Sequence, residues 1–325
     1  MRAPDFWNKQ GFLPALLSPL GGLYGFSVRA KQRSASSFRP KARVLCVGNL
    51  TAGGSGKTPI AIACARMLAA RGLKPVFLTR GYGGQLRGPV HVQPSHHRAA
   101  DVGDEPLLLA AHAPTVVSRD RAAGARLADS LGADVIIMDD GFQNFQIAKD
   151  VSLLVVDGSS GFGNSHMIPA GPLREPIAQG LARANAVVIL GDGNPPLPAF
   201  AGPVARAQLV PTAPEVLALH QVIAFAGIGR PEKFFATLAG MGVKVTLTRA
   251  FPDHHRFRTM EIAGLKHAAE TSGALLVTTE KDYVRLDPES RRGIVPVPVH
   301  AAFTDAAVID RLLDRLLPAS KVRIT

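Results

Sequence analysis

The sequence predicts an α/β protein made of two three-layer (α/β/α) domains with mostly parallel sheets. Short β-branched runs, among them KPVFLTRG, ADVIIMDD and VSLLVVD, alternate with helical segments and loops. A second alternating set follows the proline-rich stretch GNPPLPAFAGP. Parallel strands need long crossover connections, which are usually helical, so this alternation favours sheets that are covered on both faces.

The composition supports a large buried core. The 325 residues are 46% apolar and only 6% aromatic, which suits one large or two medium domains and gives no indication of disorder. The two cysteines, Cys46 and Cys64, are too few for a disulfide scaffold and lack the spacing of a metal site. We expect both to be small buried residues in a protein of a reducing compartment.

The first predicted strand runs into a glycine-rich turn and then a helix. The segment from Val44 to Pro59, VLCVGNLTAGGSGKTP, ends its turn at Gly56-Lys57-Thr58. Such a turn presents backbone N–H groups and the positive helix end to phosphate, while its Lys reaches the β- and γ-phosphates and its Thr hydroxyl can hold Mg²⁺. The segment therefore predicts a nucleoside triphosphate site.

The match to the phosphate-loop pattern G-x-x-x-x-G-K-[ST] is incomplete. The pattern places Gly at position 51, where this chain has Thr51, and the chain carries Gly53 and Gly54 inside the loop instead. The alternative interpretation is an ordinary glycine-rich turn with an incidental lysine. The strand before the turn and the helix after it, which stops at Gly72, favour the nucleotide site.

A later strand ends in paired acids. The run ADVIIMDD is an apolar strand that finishes with Asp139 and Asp140. Nucleotide-loop proteins place the acid that holds Mg²⁺ at such a strand end. These two residues are the metal candidates, and the alternative is a capped turn after a strand.

The net charge of +12 is concentrated in the first hundred residues. No acidic residue lies between Asp5 and Asp101, whereas 14 Lys and Arg residues do; residues 101–325 carry 22 basic and 24 acidic side chains. The partner of the basic region should therefore be anionic, either nucleic acid or an acidic membrane surface. Few aromatics and no recognition motif accompany the basic stretch, which argues against nucleic acid.

The N-terminal segment favours the membrane surface. Residues Gln10 to Val28 are uncharged and rich in Leu and aromatics, and basic residues follow from Arg29 to Arg43. The segment is short for a transmembrane span and contains two prolines. A helix in the membrane interface is the preferred interpretation, and a helix packed on the protein itself and a true span are the alternatives. No small-residue cleavage site follows, so a signal peptide is not expected.

A composition break around Leu209 to Leu219 indicates a linker. The sequence therefore divides into a membrane-associating segment, 1–28, a phosphate-loop domain, 29–210, and a smaller α/β domain, 211–325. The turn at Gly227-x-Gly229 lacks the third glycine of a dinucleotide fingerprint and predicts a tight turn only.

Further polar residues lie near predicted strand ends, where ligands bind in open α/β sheets. Asp104 and Glu105 stand in an acidic turn before an apolar helix, and His254 and His255 follow a strand. Four arginines share this kind of position: Arg80, Arg119, Arg121 and Arg174. Taken singly, each residue has an ordinary alternative, such as a helix cap, a loop residue bonded to backbone or a solvated side chain.

The combination of motifs resembles the tetraacyldisaccharide 4'-kinase family of lipid A biosynthesis. The motifs occur in this order over nearly the whole chain: TAGGSGKTP, TRGYGG, DVGDEP, DDGFQN, IPAGPLREP, FPDHH and TTEKD. The Thr at the first loop position and the DDGFQ block are features of this family. The resemblance implies ATP-dependent phosphorylation of the 4'-hydroxyl of a tetraacylated glucosamine disaccharide 1-phosphate, giving lipid IVA at the cytoplasmic face of the bacterial inner membrane.

The resemblance also implies the residues of the site. Lys57 would act on the β- and γ-phosphates, and Thr58, Asp139 and Asp140 would hold Mg²⁺. The ATP phosphates would be bound by Thr51, Ala52, Gly53, Gly54, Ser55, Gly56, Lys57 and Thr58. Substrate positions would be Arg80, Glu105, Arg119, Asn144, Arg174 and Glu175. Family members commonly have His where this chain has Asn144, which leaves the role of this position open.

The general base implied by the resemblance is Asp104, oriented by His254. These two residues belong to different predicted domains, so closure of the second domain over the first would assemble the base. Whether His254 or His255 faces Asp104 is open.

Two other classes of protein share part of the pattern. A soluble phosphate-loop ATPase or GTPase of metallochaperone type can carry the GG-x-GKT run, and a nucleotide-gated membrane scaffold would share the basic, apolar N-terminus. The expected partners are the lipid disaccharide and the inner-membrane surface; neither nucleic acid nor an obligate protein partner is expected.

Overall fold

The computed structural model describes residues 4–34, 36–54, 56–212 and 214–317 and confirms the α/β fold class. The strands in these ranges are β1 (Arg43–Gly48), β2 (Pro75–Thr79), β3 (Val90–His91), β4 (Thr115–Val117), β5 (Val135–Asp139), β6 (Val151–Asp157), β7 (Ala186–Leu190), β8 (Val204–Pro211), β9 (Gln221–Ala226), β10 (Lys244–Ala250), β11 (Leu275–Thr279), β12 (Ile294–Val297) and β13 (Val299–Phe303). The α-helices are α1 (Phe12–Ser34), α2 (Lys57–Ala70), α3 (Ala99–Val102), α4 (Asp104–Ala110), α5 (Arg121–Ser130), α6 (Ile177–Arg183), α7 (Pro231–Gly240), α8 (Thr259–Ser272), α9 (Glu280–Tyr283), α10 (Pro288–Arg291) and α11 (Ala306–Asp314).

The strands form two sheets. The larger sheet has nine strands in the order β13-β8-β7-β6-β1-β5-β2-β4-β3, and the smaller has four in the order β10-β9-β11-β12. Neighbouring strands are parallel in both sheets, with two exceptions. β13 is antiparallel to β8, and β3 is antiparallel to β4, at the two edges of the larger sheet. We call the larger sheet with its helices the first unit, and the smaller sheet with its helices the second unit.

The larger sheet is covered on both faces because its central strands are apolar on both sides. On β1, Leu45 and Val47 pack in one core with α2 and α11, whereas Val44 and Cys46 pack in the opposite core with α5 and α6. Side chains alternate across a strand, so a strand without polar positions fits only between two helical layers. Cys46 and Cys64 are both buried, as expected, and both are free thiols.

The smaller sheet repeats this arrangement on a reduced scale. Phe234 and Leu238 of α7 pack on one face, and Ile262 and Leu265 of α8 pack on the other. Its edge strand β10 is largely exposed.

The last strand and helix correct one of the predicted domain ranges. β12 pairs with β11 in the second unit, but β13 pairs with β8, and α11 packs in the core of the first unit. The run VPVPVHAAF predicts one strand, whereas Pro298 divides it, because proline has no N–H to donate to a ladder. Residues 299–314 therefore belong with the first sheet, and the other predicted boundaries remain a prediction.

The N-terminal segment forms one helix, α1, with Pro19 inside it. Its buried side includes Gly21 and Gly25, which lie against Met167 so closely that a Cβ at either position would approach this methionine within 3.0 Å. Its other side exposes large apolar residues: Phe12, Leu13, Leu16, Leu20, Leu23 and Phe26. Among the described residues, we find no helix whose length and hydropathy would let it cross a membrane.

Candidate active site

The glycine-rich turn lies between the end of β1 and the start of α2. Its first part is fixed by the neighbouring segment: the Ala52 N–H donates to the Pro172 carbonyl at 2.7 Å, and Thr51 forms a β-bridge with Leu173. Gly56 has a φ of 73°, and a Cβ there would lie 2.0 Å from a methyl carbon of Leu190. Only glycine fits this position without a shift of its surroundings.

The same turn provides backbone N–H donors at the start of α2. Gly53 also has a left-handed φ, 111°, and α2 begins directly at Lys57. The first N–H groups of a helix have no partner within it, so they and the glycine backbone can bind phosphate oxygens. Ser55, which the sequence places in the same turn, lies outside the described residues.

Lys57 and Thr58 meet the paired acids at the end of β5. The Thr58 hydroxyl donates to Asp139 Oδ2 at 3.0 Å, and Lys57 Nζ lies 3.6 Å from Asp140 Oδ1. Arg174 donates to both oxygens of Asp140, at 2.8 and 3.0 Å. The fold thus brings together four of the residues that the sequence assigns to phosphate and metal, with one assigned to substrate.

Burial acts on both acids, with opposite outcomes. For Asp139, burial, followed by the charge of Glu105, outweighs the opposing charge of Lys57 and raises the pKa to about 7. For Asp140, burial also works to raise the pKa, but Lys57 and Arg174 outweigh it, so the pKa is lowered. Asp140 is therefore a fixed anion between two cations, whereas Asp139 needs a further cation to stay fully ionised at neutral pH.

The oxygen atoms around Asp139 fit a divalent cation. Asp139 Oδ1 is buried and has no hydrogen-bond partner among the described residues, while Oδ2 faces the Thr58 hydroxyl. Carboxylate and hydroxyl oxygens are ligands that Mg²⁺ accepts, and Mg²⁺ usually completes its shell with phosphate and water. In the described part of the chain, no three His, Cys, Asp or Glu residues are grouped so that they could hold a metal.

Asp104 and His254 meet at the junction of the two units. Asp104 begins α4 in the first unit, His254 follows β10 in the second, and the histidine Nδ1 lies 3.0 Å from Asp104 Oδ2. His255 instead places Nε2 2.9 Å from Glu261 Oε2 and stacks on the Phe251 ring. The structure therefore pairs His254, and not His255, with Asp104.

Two cations of the second unit, Lys281 and Arg285, complete this cluster, and sequence reasoning missed both. Arg285 donates from Nε and Nη2 to Asp104 Oδ2 at 2.7 and 2.5 Å, and Lys281 Nζ lies 3.2 Å from Glu105 Oε1. Burial works to raise the pKa of Asp104, but the hydrogen bond from His254 and the charges of Lys281 and Arg285 outweigh it and hold this pKa far below its ordinary range. The motif TTEKD, three residues before Arg285, was the available signal.

The other predicted substrate positions differ in their surroundings. Arg80 and Arg119 have exposed side chains just after β2 and β4. Glu175 is only 1% exposed and accepts from Gln143 and Arg183, so it supports the DDGFQ block. A contact of Glu175 with substrate stays a prediction, and in this structure its carboxylate is buried and paired.

Asn144 and Arg121 make local contacts. The Asn144 side chain donates to Gln146 within its own turn, at 3.3 Å. Arg121 is buried, donates to the Ser118 carbonyl, and has a pKa lowered to about 10 by burial. These contacts support the turns that follow β5 and β4.

The two clusters lie at the carboxyl ends of strands, where open α/β sheets bind ligands. One side supplies an anion-binding turn with oxygen ligands for a cation, and the other supplies a carboxylate–imidazole pair. An ion pair between Asp157, at the end of β6, and Arg230, after β9, also joins the units, with 3.4 Å between Oδ2 and Nη1. Together these groups match what phosphoryl transfer to a hydroxyl requires: a phosphate cradle, oxygen ligands for a cation and a group that accepts the proton.

Known proteins support the same conclusion. A model of the family described as LpxK, tetraacyldisaccharide-1-P 4'-kinase, matches residues 13–317. The tetraacyldisaccharide 4'-kinase of Paramagnetospirillum magneticum is 52% identical over 322 residues, which cover 97% of this chain and 99% of that protein. Its counterpart in Rhodospirillum rubrum is 48% identical over 326 residues, with 98% of each chain covered. The crystal structure of LpxK from Aquifex aeolicus, described as an "apo" form in complex with ATP, matches with a TM-score of 0.76 at 26% identity and covers 94% of this chain and 100% of that one. By its sequence and its fold, this chain belongs to the tetraacyldisaccharide-1-P 4'-kinase family.

Proposed function

We propose that this protein transfers the γ-phosphoryl group of ATP to the 4'-hydroxyl of a tetraacylated glucosamine disaccharide 1-phosphate, the step of lipid A biosynthesis that gives lipid IVA. The observation that carries the proposal is the junction itself, where the Asp104–His254 pair from two units is followed by Glu105, whose charge acts on Asp139, the acid bonded to Thr58 of the glycine-rich turn. Family membership supports the lipid acceptor, and the similar structure from Aquifex aeolicus, which is a complex with ATP, supports ATP as the donor.

The nucleotide would be bound by the turn between β1 and α2. Its glycine backbone and the start of α2 meet the phosphate oxygens, and Lys57 supplies a cation to the β- and γ-phosphates. We propose that Thr58, Asp139 and Asp140 hold Mg²⁺, which when bound would neutralise the charge that spreads over the transferred group. Arg174 keeps Asp140 in place as an anion.

The acceptor hydroxyl would lose its proton to Asp104. At neutral pH this side chain is a carboxylate, because its pKa is lowered by His254, Lys281 and Arg285 against the effect of burial. The other carboxylate oxygen is held as well, since Asp104 Oδ1 accepts a hydrogen bond from the Glu105 backbone N–H at 3.0 Å. A base that is fixed and ionised before substrate arrives can act without reorganisation.

We further propose that the protein works at the cytoplasmic face of the inner membrane. A substrate with four acyl chains stays in the lipid layer, and α1 offers a row of exposed apolar side chains followed by the basic region. Burial of such a row in the interface and attraction to anionic lipids would act together. No nucleic acid and no obligate protein partner form part of this proposal.

Labelled ATP tests the function directly. The protein is incubated with γ-labelled ATP, Mg²⁺ and the lipid disaccharide 1-phosphate, with a control that lacks lipid. We expect label in the lipid at the 4' position. Label released only as free phosphate would point to an ATPase or GTPase instead, and no turnover with retained nucleotide binding would point to a nucleotide-gated scaffold.

A further inference from the structure

Arg285 occupies a central position at the junction of the units. It follows α9 in the second unit, and its side chain is only 5% exposed. Two of its nitrogens donate to Asp104 Oδ2 in the first unit, and Nη1 donates to Asp282 Oδ1 at 2.7 Å and to the Gly227 carbonyl at 2.6 Å. One planar guanidinium therefore connects the Asp104 carboxylate to the end of β9.

The Gly227 carbonyl links this arginine to the histidine as well. It also accepts from the backbone N–H of His254 at 3.1 Å, and the Gly227 N–H donates to Asp282 Oδ2 at 3.0 Å. His254 has a left-handed φ of 57°, a conformation that a non-glycine residue keeps only when its surroundings hold it. Arg285 thus binds one member of the acid–imidazole pair directly and the other through a shared carbonyl.

The contacts divide the two oxygens of Asp104 between different tasks. Oδ2 faces three donors, from Arg285 Nε, Arg285 Nη2 and His254 Nδ1. A carboxylate oxygen has about two lone-pair sites, so these donors saturate it. Oδ1 accepts from one N–H, that of Glu105, and keeps capacity for a proton.

We propose that Arg285 is a positioning residue for the proton transfer: it saturates Asp104 Oδ2, fixes the backbone of His254 through Gly227, and so leaves Oδ1 to take the proton. The proposal rests on the proposed function. In that reaction the acceptor oxygen forms a bond to the γ-phosphorus as its proton passes to Oδ1, while the bond from the γ-phosphorus to the bridging oxygen breaks and its electron pair leaves with ADP.

Arg291 offers a matched control in the same segment. It donates from Nε to the Tyr283 and Leu286 carbonyls and from Nη2 to the Val284 carbonyl, at 3.0 to 3.1 Å. It therefore fastens the backbone that carries Arg285, while its bonds go to carbonyl groups within this segment. Replacement of Arg291 therefore shows how the rate responds when this segment is weakened but Arg285 is still present.

The experiment compares Arg285→Ala, Arg285→Lys and Arg291→Ala in the labelled-ATP assay, using the full chain. Because a displacement of about 1 Å in the reacting groups costs about a hundred-fold in rate, we expect kcat of Arg285→Ala to fall about a hundred-fold. KM for ATP should change less than about two-fold, as the lost interaction lies outside nucleotide binding. Millimolar guanidinium should restore at least about ten-fold of the rate to Arg285→Ala, since it can refill the fork of donors. Arg285→Lys keeps the positive charge but not the forked pair of donors, so its kcat should lie between those of Arg285→Ala and wild type.

Arg291→Ala should lower the melting temperature without the large loss of kcat and without a response to guanidinium. A second check uses Asp104→Asn as background: there Arg285→Ala should cost little further rate, because residues that act as a unit are not additive.

The outcomes that overturn the proposal are distinct. A kcat for Arg285→Ala near that of wild type, or a loss that neither guanidinium nor the lysine restores in a folded variant, excludes the positioning role. If Arg285→Ala does not fold, Arg285→Lys decides: a folded lysine variant with wild-type kcat overturns the proposal. Absence of lipid phosphorylation by the wild-type protein would contradict the proposed function instead.

Discussion

The phosphate-binding turn and the Asp104 cluster are built in different ways. The turn is one continuous segment between β1 and α2, and its shape comes from glycine backbone and a helix start. The Asp104 cluster combines segments that lie far apart in the chain, because His254 comes 150 positions and Arg285 181 positions after Asp104. The first site is local and resides in one unit, whereas the second exists only where two units meet.

This difference teaches that binding and proton transfer should be separable in this protein. If the site works as proposed, nucleotide affinity depends on the local turn, and the rate of transfer depends on the relative position of the units. Variants that change only nucleotide affinity or only the transfer rate would support this separation, and variants that change both equally would contradict it.

The largest separation is expected for Asp104→Ala. Removal of a general base costs about 10²–10⁴-fold in rate, and we expect a loss of about 10³-fold in kcat with ATP affinity within about two-fold of wild type. Steady-state turnover and calorimetry with ATP measure the two quantities. Asp101→Ala, which removes an acid that caps α3 at the Arg98 N–H, is the control and should keep its rate. A rate near wild type for Asp104→Ala would remove Asp104 as the base.

The opposite variant is Gly56→Ala in the turn. A Cβ would collide with Leu190 at 2.0 Å, and a left-handed φ for alanine costs about 1–3 kcal/mol. Since 1.4 kcal/mol is ten-fold, we expect ATP binding at least about ten-fold weaker by calorimetry. Gly72→Ala is the control, because Gly72 has a φ of 71° but open space around its Cβ. Equal ATP affinity of the two variants would contradict the expected role of the collision.

A third variant tests the surface that neither cluster uses. Leu16 and Leu23 of α1 are 61% and 69% exposed, and their replacement in Leu16→Ser/Leu23→Ser removes apolar area from the proposed membrane face. We expect about ten-fold weaker sedimentation with vesicles that contain phosphatidylglycerol, with ATP binding unchanged. Leu247→Ser, in an exposed leucine of β10, is the control. Equal loss of vesicle and ATP binding would assign the helix to the fold.

The last comparison concerns stability rather than activity, and the expected change with pH is small. Asp104→Asn removes an anion from a buried ion pair, and we expect it to lower the free energy of unfolding by about 3 kcal/mol at pH 7. The folded-state pKa of Asp104 is lowered, so the stabilisation is complete above the unfolded value of about 4 and declines as the pH falls below it. Urea unfolding at pH 7, 5 and 3.5 should show that the difference in free energy of unfolding between wild type and Asp104→Asn becomes smaller as the pH falls.

The control for this effect is Asp287→Asn, which breaks the exposed pair with Arg98. Exposed pairs contribute little, so this variant should match wild type at each pH. A gap for Asp104→Asn that stays constant down to pH 3.5 would mean that its ionisation does not stabilise the junction.

The local parts of the site were predictable from sequence, and the composite parts were only partly so. The turn from Thr51 to Thr58 and the acids Asp139 and Asp140 follow directly from strands, so a one-dimensional pattern indicates them. The pairing of His254 with Asp104 was expected from family resemblance alone. Arg285 lies outside the recognised motifs, because its role depends on which acid the fold places beside it.

The fold was predictable to a similar extent. Alternation of strands and helices gave the α/β class, since periodicity and turn residues act locally. The return of β13 to the larger sheet was missed, because an apolar run fits either sheet and only tertiary packing decides between them. The buried state of Glu175 was missed for the same reason: its partners Gln143 and Arg183 come together only in the folded chain.

The return of β13 has a mechanical consequence. The chain leaves the first unit after Pro211 and re-enters it at Val299, and these two residues are partners in the antiparallel ladder, with the Thr212 N–H donating to the Pro298 carbonyl at 2.9 Å. Both covalent crossings therefore leave from a single spot at one edge of the larger sheet. Because α4 packs beside β4, near the opposite edge of that sheet, we expect any opening of the two units to pivot near Pro211 and Val299 and to displace the contacts at Asp104 further than the ladder at these two residues.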